Sequence, residues 1–290
     1  MSAVFCFGEV LWDCMPSGLF LGGAPLNVAS HLARLGLKAG MVSAVGDDIL
    51  GAEAIQRMES NGVDSRYVAV IKGKQTGSVS VNLDNKANAT YKIREDVAWD
   101  HIPLYEGLTN ELVGTSAIVY GTLAMRSPEN LRVLEALLEV EWPMRVYDAN
   151  LRAPYYSIEQ VLTLSRFADL FKCNEDEARE LCGASDAVPP EALLRKIADL
   201  TDSGRVCITL GTRGAVYLGP TGVLHAVAPQ VQPVDSVGAG DAFLAALVDG
   251  IVQGKEDHPD FLLRACRLGA FVASSHGAVP QYEASVFALS

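Results

Sequence analysis

Short apolar runs that stop at glycine or at polar residues recur along this chain, with helical patterns between them. The first is Ala3–Gly8 (Ala-Val-Phe-Cys-Phe-Gly), and Met41–Val45, Ala117–Tyr120, Met144–Tyr147, Leu170–Cys173 and Val206–Leu210 follow. Runs this short and this largely apolar read as strands buried on both faces, as in a parallel sheet covered by helices. The helical segments carry their own punctuation. Pro25 suits a first helical turn whose buried stripe is Val28, Leu32 and Leu35, with Gly36 as the stop. A second helix is expected from about Leu50 to Asn61, stopped at Gly62. Ser127-Pro128-Glu129 opens another, with a capping residue, a first-position proline and an acid in the first turn. A small-residue helix is expected from Cys266 to Ala278. The pattern predicts an α/β fold with a mainly parallel central sheet and helices on both faces. A length of 290 residues, 49% of them hydrophobic, suits one such domain (1–290) with a small accessory element.

The period changes once. Thr76–Leu83 puts Val79, Val81 and Leu83 on one face, Asp84–Asn88 makes a polar turn, and Ala89–Ile93 returns. This hairpin interrupts the β–α rhythm and is assigned to a small β lid, formed by about residues 13–22 and 74–95. Tyr91 and Arg94 at its base are placed either to touch an acceptor or to face solvent.

The stretch Pro233–Phe243 reads as a turn that opens a helix, because Phe243, Leu244, Leu247 and Ile251 recur at helical spacing. Gly238 and Gly240 leave the backbone bare at the mouth of that helix, where unpaired N–H groups and the helix dipole favour an anion. Asp241 follows at once. Backbone amides for phosphate oxygens beside a carboxylate for a proton is a layout for phosphoryl transfer, although Gly-x-Gly also serves as a plain tight connection. An aspartate at a helix N-terminus is expected to stay ionised and to be a weak base.

Other polar residues gather where strands end, and ligands of open α/β sheets bind beyond those carboxyl ends. Asp13 is placed to hold a polyol through its hydroxyls or to be a solvated loop aspartate. Asn27, off the buried stripe, could hydrogen-bond hydroxyls or cap its helix. Arg152, in Asp148-Ala149-Asn150-Leu151-Arg152, could meet substrate or phosphate, or form a structural salt bridge. The acids of Asn174-Glu175-Asp176-Glu177 could serve a site or complement a helix dipole.

Two strings carry a family resemblance. Asp235-Ser236-Val237-Gly238-Ala239-Gly240-Asp241-Ala242-Phe243 closely resembles the C-terminal signature of the ribokinase-like (phosphofructokinase B-type) carbohydrate kinases. Far upstream, Gly22-Gly23-Ala24-Pro25-Leu26-Asn27-Val28-Ala29 resembles their N-terminal signature, and the resemblance runs through nearly the whole chain. Asp148-x-Asn150-x-Arg152 resembles the fructokinase and ketodeoxygluconate kinase branches. The resemblance implies ATP-dependent transfer of the γ-phosphoryl group to a sugar hydroxyl, first of all D-fructose to fructose 6-phosphate. The alternative is 2-keto-3-deoxygluconate or another sugar. It implies that Asp241 takes the hydroxyl proton while the Gly238, Ala239 and Gly240 amides stabilise the transferring charge. Asp13, Gly22, Gly23 and Asn27 would hold the sugar, with Arg152 beside them. Asn174, Thr209 and Gly211 would border the ATP, along with Gly238 and Gly240. Glu177 would support Mg2+ through water, a sensible arrangement because magnesium keeps several waters. Asp235 would hold a monovalent cation, K+. A homodimer joined through the lid is among the assemblies the resemblance allows.

Composition excludes other classes. A net charge of −12 argues against nucleic acid or an anionic membrane as partner. No apolar stretch approaches the ~20 residues that span a bilayer. The 6 cysteines form no Cys-x-x-Cys pair, which argues against disulfides or zinc and fits a reducing, cytoplasmic location. A nicotinamide-dependent oxidoreductase would want Gly-x-Gly-x-x-Gly after the first strand, where Gly8-Glu9-Val10 stands instead. A Walker A loop is absent, so phosphate binding falls to the Gly238–Gly240 turn. A non-catalytic sugar-binding regulator would be expected to have lost Asp241 or the glycines, and both are intact.

Overall fold

The computed structural model describes residues 3–15, 18–83, 89–141 and 144–289. In chain order the first half comprises β1 (Ala3–Phe7), β2 (Leu11–Met15), β3 (Gly18–Gly22), α1 (Ala24–Arg34), β4 (Lys38–Gly46), α2 (Ile49–Ser60) and β5 (Val63–Ile71). Then come β6 (Gly77–Leu83), β7 (Ala89–Ile93), α3 (Leu108–Leu112), β8 (Ala117–Gly121), α4 (Pro128–Leu138), β9 (Arg145–Asp148) and α5 (Ile158–Ser165). The last third is β10 (Leu170–Asn174), α6 (Glu175–Cys182), α7 (Pro190–Thr201), β11 (Arg205–Thr209), β12 (Ala215–Gly219), β13 (Gly222–Ala226), α8 (Ala239–Val252) and α9 (Phe261–Ala273).

A nine-stranded sheet in the order β13-β12-β11-β10-β9-β8-β1-β4-β5 forms the centre. All its pairs from β11 to β5 are parallel, and β12 and β13 add an antiparallel edge. Successive side chains of a strand point to opposite faces, and the core divides accordingly. Val4, Cys6, Ala117 and Val119 pack with residues of α1, α2, α8 and α9, whereas Phe5, Phe7, Ile118 and Tyr120 pack with α3 to α7. Burial on both faces explains the largely apolar runs. The parallel arrangement brings the carboxyl ends of β1, β9, β10 and β11 to one rim of the sheet.

A second sheet of four strands, β3-β2-β6-β7, stands apart from the first. Trp12 of β2 ties it to the main body by donating its indole N–H to the Leu50 carbonyl of α2 at 3.0 Å. Residues 13–15 lie in β2 and 18–22 in β3, and Asp13 is mid-strand rather than in a loop, opposite Phe20 and Val79. The polar turn expected at 84–88 and the side chain of Tyr91 lie outside the described residues. Arg94 is exposed.

Three further differences have physical causes. Strand β5 has no clean apolar alternation because its register against β4 slips between Gly40 and Val42, which disguises it as a loop. The hairpin β12–β13 follows the Gly211–Arg213 turn at the sheet edge, where half-exposed side chains dilute the strand signal. The last helix begins at Phe261 and ends at Ala273, not Cys266 to Ala278. Its buried stripe starts with Phe261 and Leu262, and the chain beyond Ala273 turns away, with Gly277 at φ +78°.

Candidate active site

The site forms where the N-termini of α1, α6 and α8 meet the rim of the central sheet. Gly238 precedes α8 at φ +79°, and a Cβ there would come within 2.6 Å of Ala278, so only glycine fits this turn. Among the described residues the Gly240 and Asp241 amides have no backbone acceptor, and the Ala239 amide makes only a 3.3 Å contact to the Ser236 carbonyl. These are the free donors that a helix start offers an anion.

Asp241, in the first turn of α8, accepts a hydrogen bond at 2.8 Å from the Asn27 side-chain amide of α1. Asn27 is buried and does not cap its helix; Gly23 stands at that position, with φ +113° and room for no Cβ because the Glu9 carbonyl would lie 2.3 Å away. In place of a cap, Glu9 reaches over from the end of β1, and its Oε1 accepts from the Ala24 amide at 3.2 Å. Glu9 is 3% exposed, and its Oε2 has no hydrogen-bond partner among the described residues. Burial pushes the Glu9 carboxyl up to about 7, with its own backbone hydrogen bonds and Arg152 opposing and the Asp241 charge adding. Burial likewise raises Asp241 above the ordinary aspartate range, against the Asn27 hydrogen bond and the charges of Lys172 and Arg152. The shift is toward a stronger base than a place at a helix start suggests, because desolvation is its largest cause.

Asp13 lines the same space from the second sheet. A Cβ on Gly22 would sit 2.8 Å from its Oδ2, so the carboxylate lies beside Gly22. Burial raises Asp13 to about 6, with Arg152 opposing and Asp235 adding. Arg152 is exposed, and no carboxylate of the described residues lies within ion-pair distance of it. Its charge nevertheless acts on Glu9, Asp13, Asp148 and Asp241 together. The salt bridge weighed for Arg152 thus has no partner among the described residues, and the guanidinium is open to a ligand.

Asn174 and Glu177 form a reciprocal capping box on α6. The Asn174 side chain accepts from the Glu177 amide at 2.9 Å, and Glu177 Oε2 accepts from the Asn174 amide at 2.8 Å. Glu177 Oε1 accepts from the Leu151 amide at 2.9 Å and so fixes the loop that carries Arg152. Thr209 lies opposite Asn174 on the neighbouring strand, and Gly211 begins the turn that follows, so these three share one end of the rim. Asp235 Oδ1 accepts from the Val237 amide at 3.0 Å, and its own amide donates to the Ala273 carbonyl of α9 at 3.2 Å.

Two groups escaped the sequence reading. Lys172 on β10 and Asp148 on β9 form a buried ion pair, with Nζ 2.9 Å from Oδ1 and 3.0 Å from Oδ2. The signal was a lone lysine inside the apolar run Leu170–Cys173. The other is Glu9, whose place directly after a buried strand hinted at its burial. Taken together, free amides, a carboxylate of raised basicity and further carboxylates within the field of an open guanidinium can bind a phosphoryl group and a hydroxyl-rich acceptor.

Residues 6–284 match the pfkB family of carbohydrate kinases. The chain belongs to that family. This pfkB kinase is 29% identical over 313 residues to fructokinase-1 of Oryza sativa subsp. japonica, covering 98% of this chain and 95% of that one. It is 29% identical over 307 residues to fructokinase-1 of Zea mays, covering 96% and 93%. A double mutant of fructokinase from Vibrio cholerae O395, in a form bound to fructose, ADP and potassium ion, superposes with a TM-score of 0.81. The identity is 25%, over 96% of this chain and 94% of that one. The pfkB kinase is thus an ATP-dependent sugar kinase with the ribokinase-like fold.

Proposed function

We propose that the enzyme phosphorylates a ketohexose, with D-fructose as acceptor and its 6-hydroxyl as target. The observation that carries this reading is the meeting of Asn27 and Asp241 at the mouth of α8, beside free amides. Asp241 takes the hydroxyl proton as the sugar oxygen attacks the γ-phosphorus. The Gly238, Ala239 and Gly240 segment stabilises charge on the transferring group, and positioning supplies most of the rate because the transition state is loose. Asp13, Gly22, Gly23 and the free Oδ1 of Asn27 serve the sugar. Asn174, Thr209 and Gly211 border the nucleotide.

Among the described residues no group of three or more His, Cys, Asp or Glu could hold a metal ion by itself. Magnesium fits as a companion of the ATP phosphates, reached through water from Glu177, whose two oxygens are already engaged by backbone amides. A potassium ion fits beside Asp235, where it would add positive charge next to the phosphates; equal rates in potassium and sodium at one ionic strength would remove it. Strand β3 is an edge that exposes Leu19 (50%) and Phe20 (42%), and it is the face through which two lids would pair. Sedimentation of Phe20→Glu against wild type tests that pairing.

The open guanidinium of Arg152 favours a second reading, in which it meets the carboxylate of 2-keto-3-deoxygluconate. Comparing kcat/KM for fructose, ribose, adenosine and ketodeoxygluconate decides between them. Fructose should lead by at least about tenfold, or 1.4 kcal/mol. A ketodeoxygluconate preference abolished in Arg152→Ala would replace the fructose assignment.

A further inference from the structure

Lys172 stands directly across from Asp148 in the parallel pairing of β10 and β9, and the two side chains are 7% and 6% exposed. Both oxygens of Asp148 accept from Nζ, which leaves one ammonium proton uncommitted. The ammonium faces the phosphate turn: a methyl group on Gly240 would meet Nζ at 3.4 Å, the one described contact within 4 Å from outside its own stretch of helix. An ion pair at this depth loses much of its attraction to desolvation, and a neutral pair of similar shape is often as stable. Stability alone therefore gives little reason for it.

The surroundings give a better one. The chain carries a net charge of −12, and Glu9, Asp13, Asp148, Glu177 and Asp241 gather around a site that must accept a polyanionic nucleotide. Lys172 from β10 and Arg152 from the loop after β9 favour the ionised form of Asp241, and Asn27 of α1 gives it a hydrogen bond, whereas the like charges of Asp148 on β9 and Glu9 after β1 oppose it. Of the two cations Arg152 is exposed, so water weakens it, and Lys172 is the one held in a dry place.

We propose that Lys172 is a positioning residue for phosphoryl transfer, a fixed buried cation behind Gly240 that adds positive potential to the amide cradle and steadies Asp241, with Asp148 holding it in place. In the step it supports, the sugar oxygen bonds to the γ-phosphorus as the bond from that phosphorus to the bridging oxygen breaks. The electron pair of the broken bond leaves on ADP, and the hydroxyl proton passes to Asp241. Lys172 neither gives nor takes a proton; the Asp148 charge keeps its ammonium protonated in spite of burial.

The test is the paired variant Lys172→Met with Asp148→Asn, which removes the charges without leaving one orphaned, alongside Lys172→Arg. The paired variant should lose about 10²-fold in kcat while its sugar KM stays within about threefold. The acid limb of its kcat profile should move to higher pH, because the lost cation acts on Asp241 more strongly than the Asp148 charge removed with it. Lys172→Arg should keep that limb in place. A paired variant with kcat within threefold of wild type would overturn the proposal, as would a loss of kcat with an unmoved limb. A paired variant without a cooperative melting transition would count against it too, since that would make the pair a structural element. The proposal rests on Asp241 as base, and Asp241→Asn measured in parallel separates the two. If that variant stays active, the base assignment fails; if it is inactive while the paired variant is unaffected, only the role of Lys172 fails.

Discussion

The Asn27 amide donates to the Asp241 carboxylate at 2.8 Å, joining side chains that stand 214 positions apart in the chain. The bond fixes the α1 and α8 N-termini against each other and points one carboxylate oxygen, leaving the other for a substrate proton.

Removing the donor should have a defined effect. Asn27→Ala loses a hydrogen bond to a charged group, of the kind worth about 1.5–3 kcal/mol, and kcat should fall about 10–100-fold. The hydrogen bond favours the ionised carboxylate, so the acid limb of kcat should move to higher pH. A pH–rate profile checks both effects, and an unshifted limb would show that Asn27 acts elsewhere.

Asp13→Ala should raise the sugar KM by about 10–100-fold and leave the ATP affinity nearly unchanged. Asp13 comes from the small sheet, whereas Asn174, Thr209 and Gly211 lie on the far end of the rim. In wild type the Asp13 carboxyl is raised to about 6, so its acceptor character should fade, and the sugar KM rise, as pH falls through about 6. Initial rates with each substrate varied in turn will tell, and equal loss of both affinities would displace Asp13 from the sugar.

His31 makes a separate prediction about stability. It is buried, one ring nitrogen lies 2.9 Å from the Tyr282 hydroxyl and the other 2.9 Å from the Ala278 carbonyl. Burial lowers it from 6.5 to about 4. The unfolded chain therefore binds the proton first, below pH 6.5, and folding stability declines from there until the folded histidine also charges near pH 4. The loss over that window is about 3 kcal/mol at most. His31→Gln should be less stable at neutral pH yet show a flatter decline between pH 6.5 and 4 in denaturant titrations. Parallel declines in the two proteins would contradict this.

What could be read from the sequence was whatever the chain writes locally. Gly238, Gly240 and Asp241 announce their turn within a few residues, Ser127-Pro128-Glu129 marks its helix, and the acids after Asn174 mark another helix start. What could not be read depends on register and on distant contacts. Lys172 meets Asp148 only because β9 and β10 pair in one alignment, and an apolar run says nothing of that alignment. Strand β5 was hidden by its slip against β4, and Asp13 looked like a loop residue because β2 is short and belongs to another sheet. The raised basicity of Asp241 is likewise a product of burial, which its place at a helix start conceals.

The central claim is that Asp241 is the base in phosphoryl transfer at the mouth of α8. Sugar-dependent ADP formation by Asp241→Asn, a nearly isosteric change, tests it most directly. The variant should melt as a folded protein, bind ATP, and lose about 10²–10⁴ in kcat, roughly 3–5 kcal/mol of barrier. A folded variant whose kcat stays within threefold of wild type would contradict the claim.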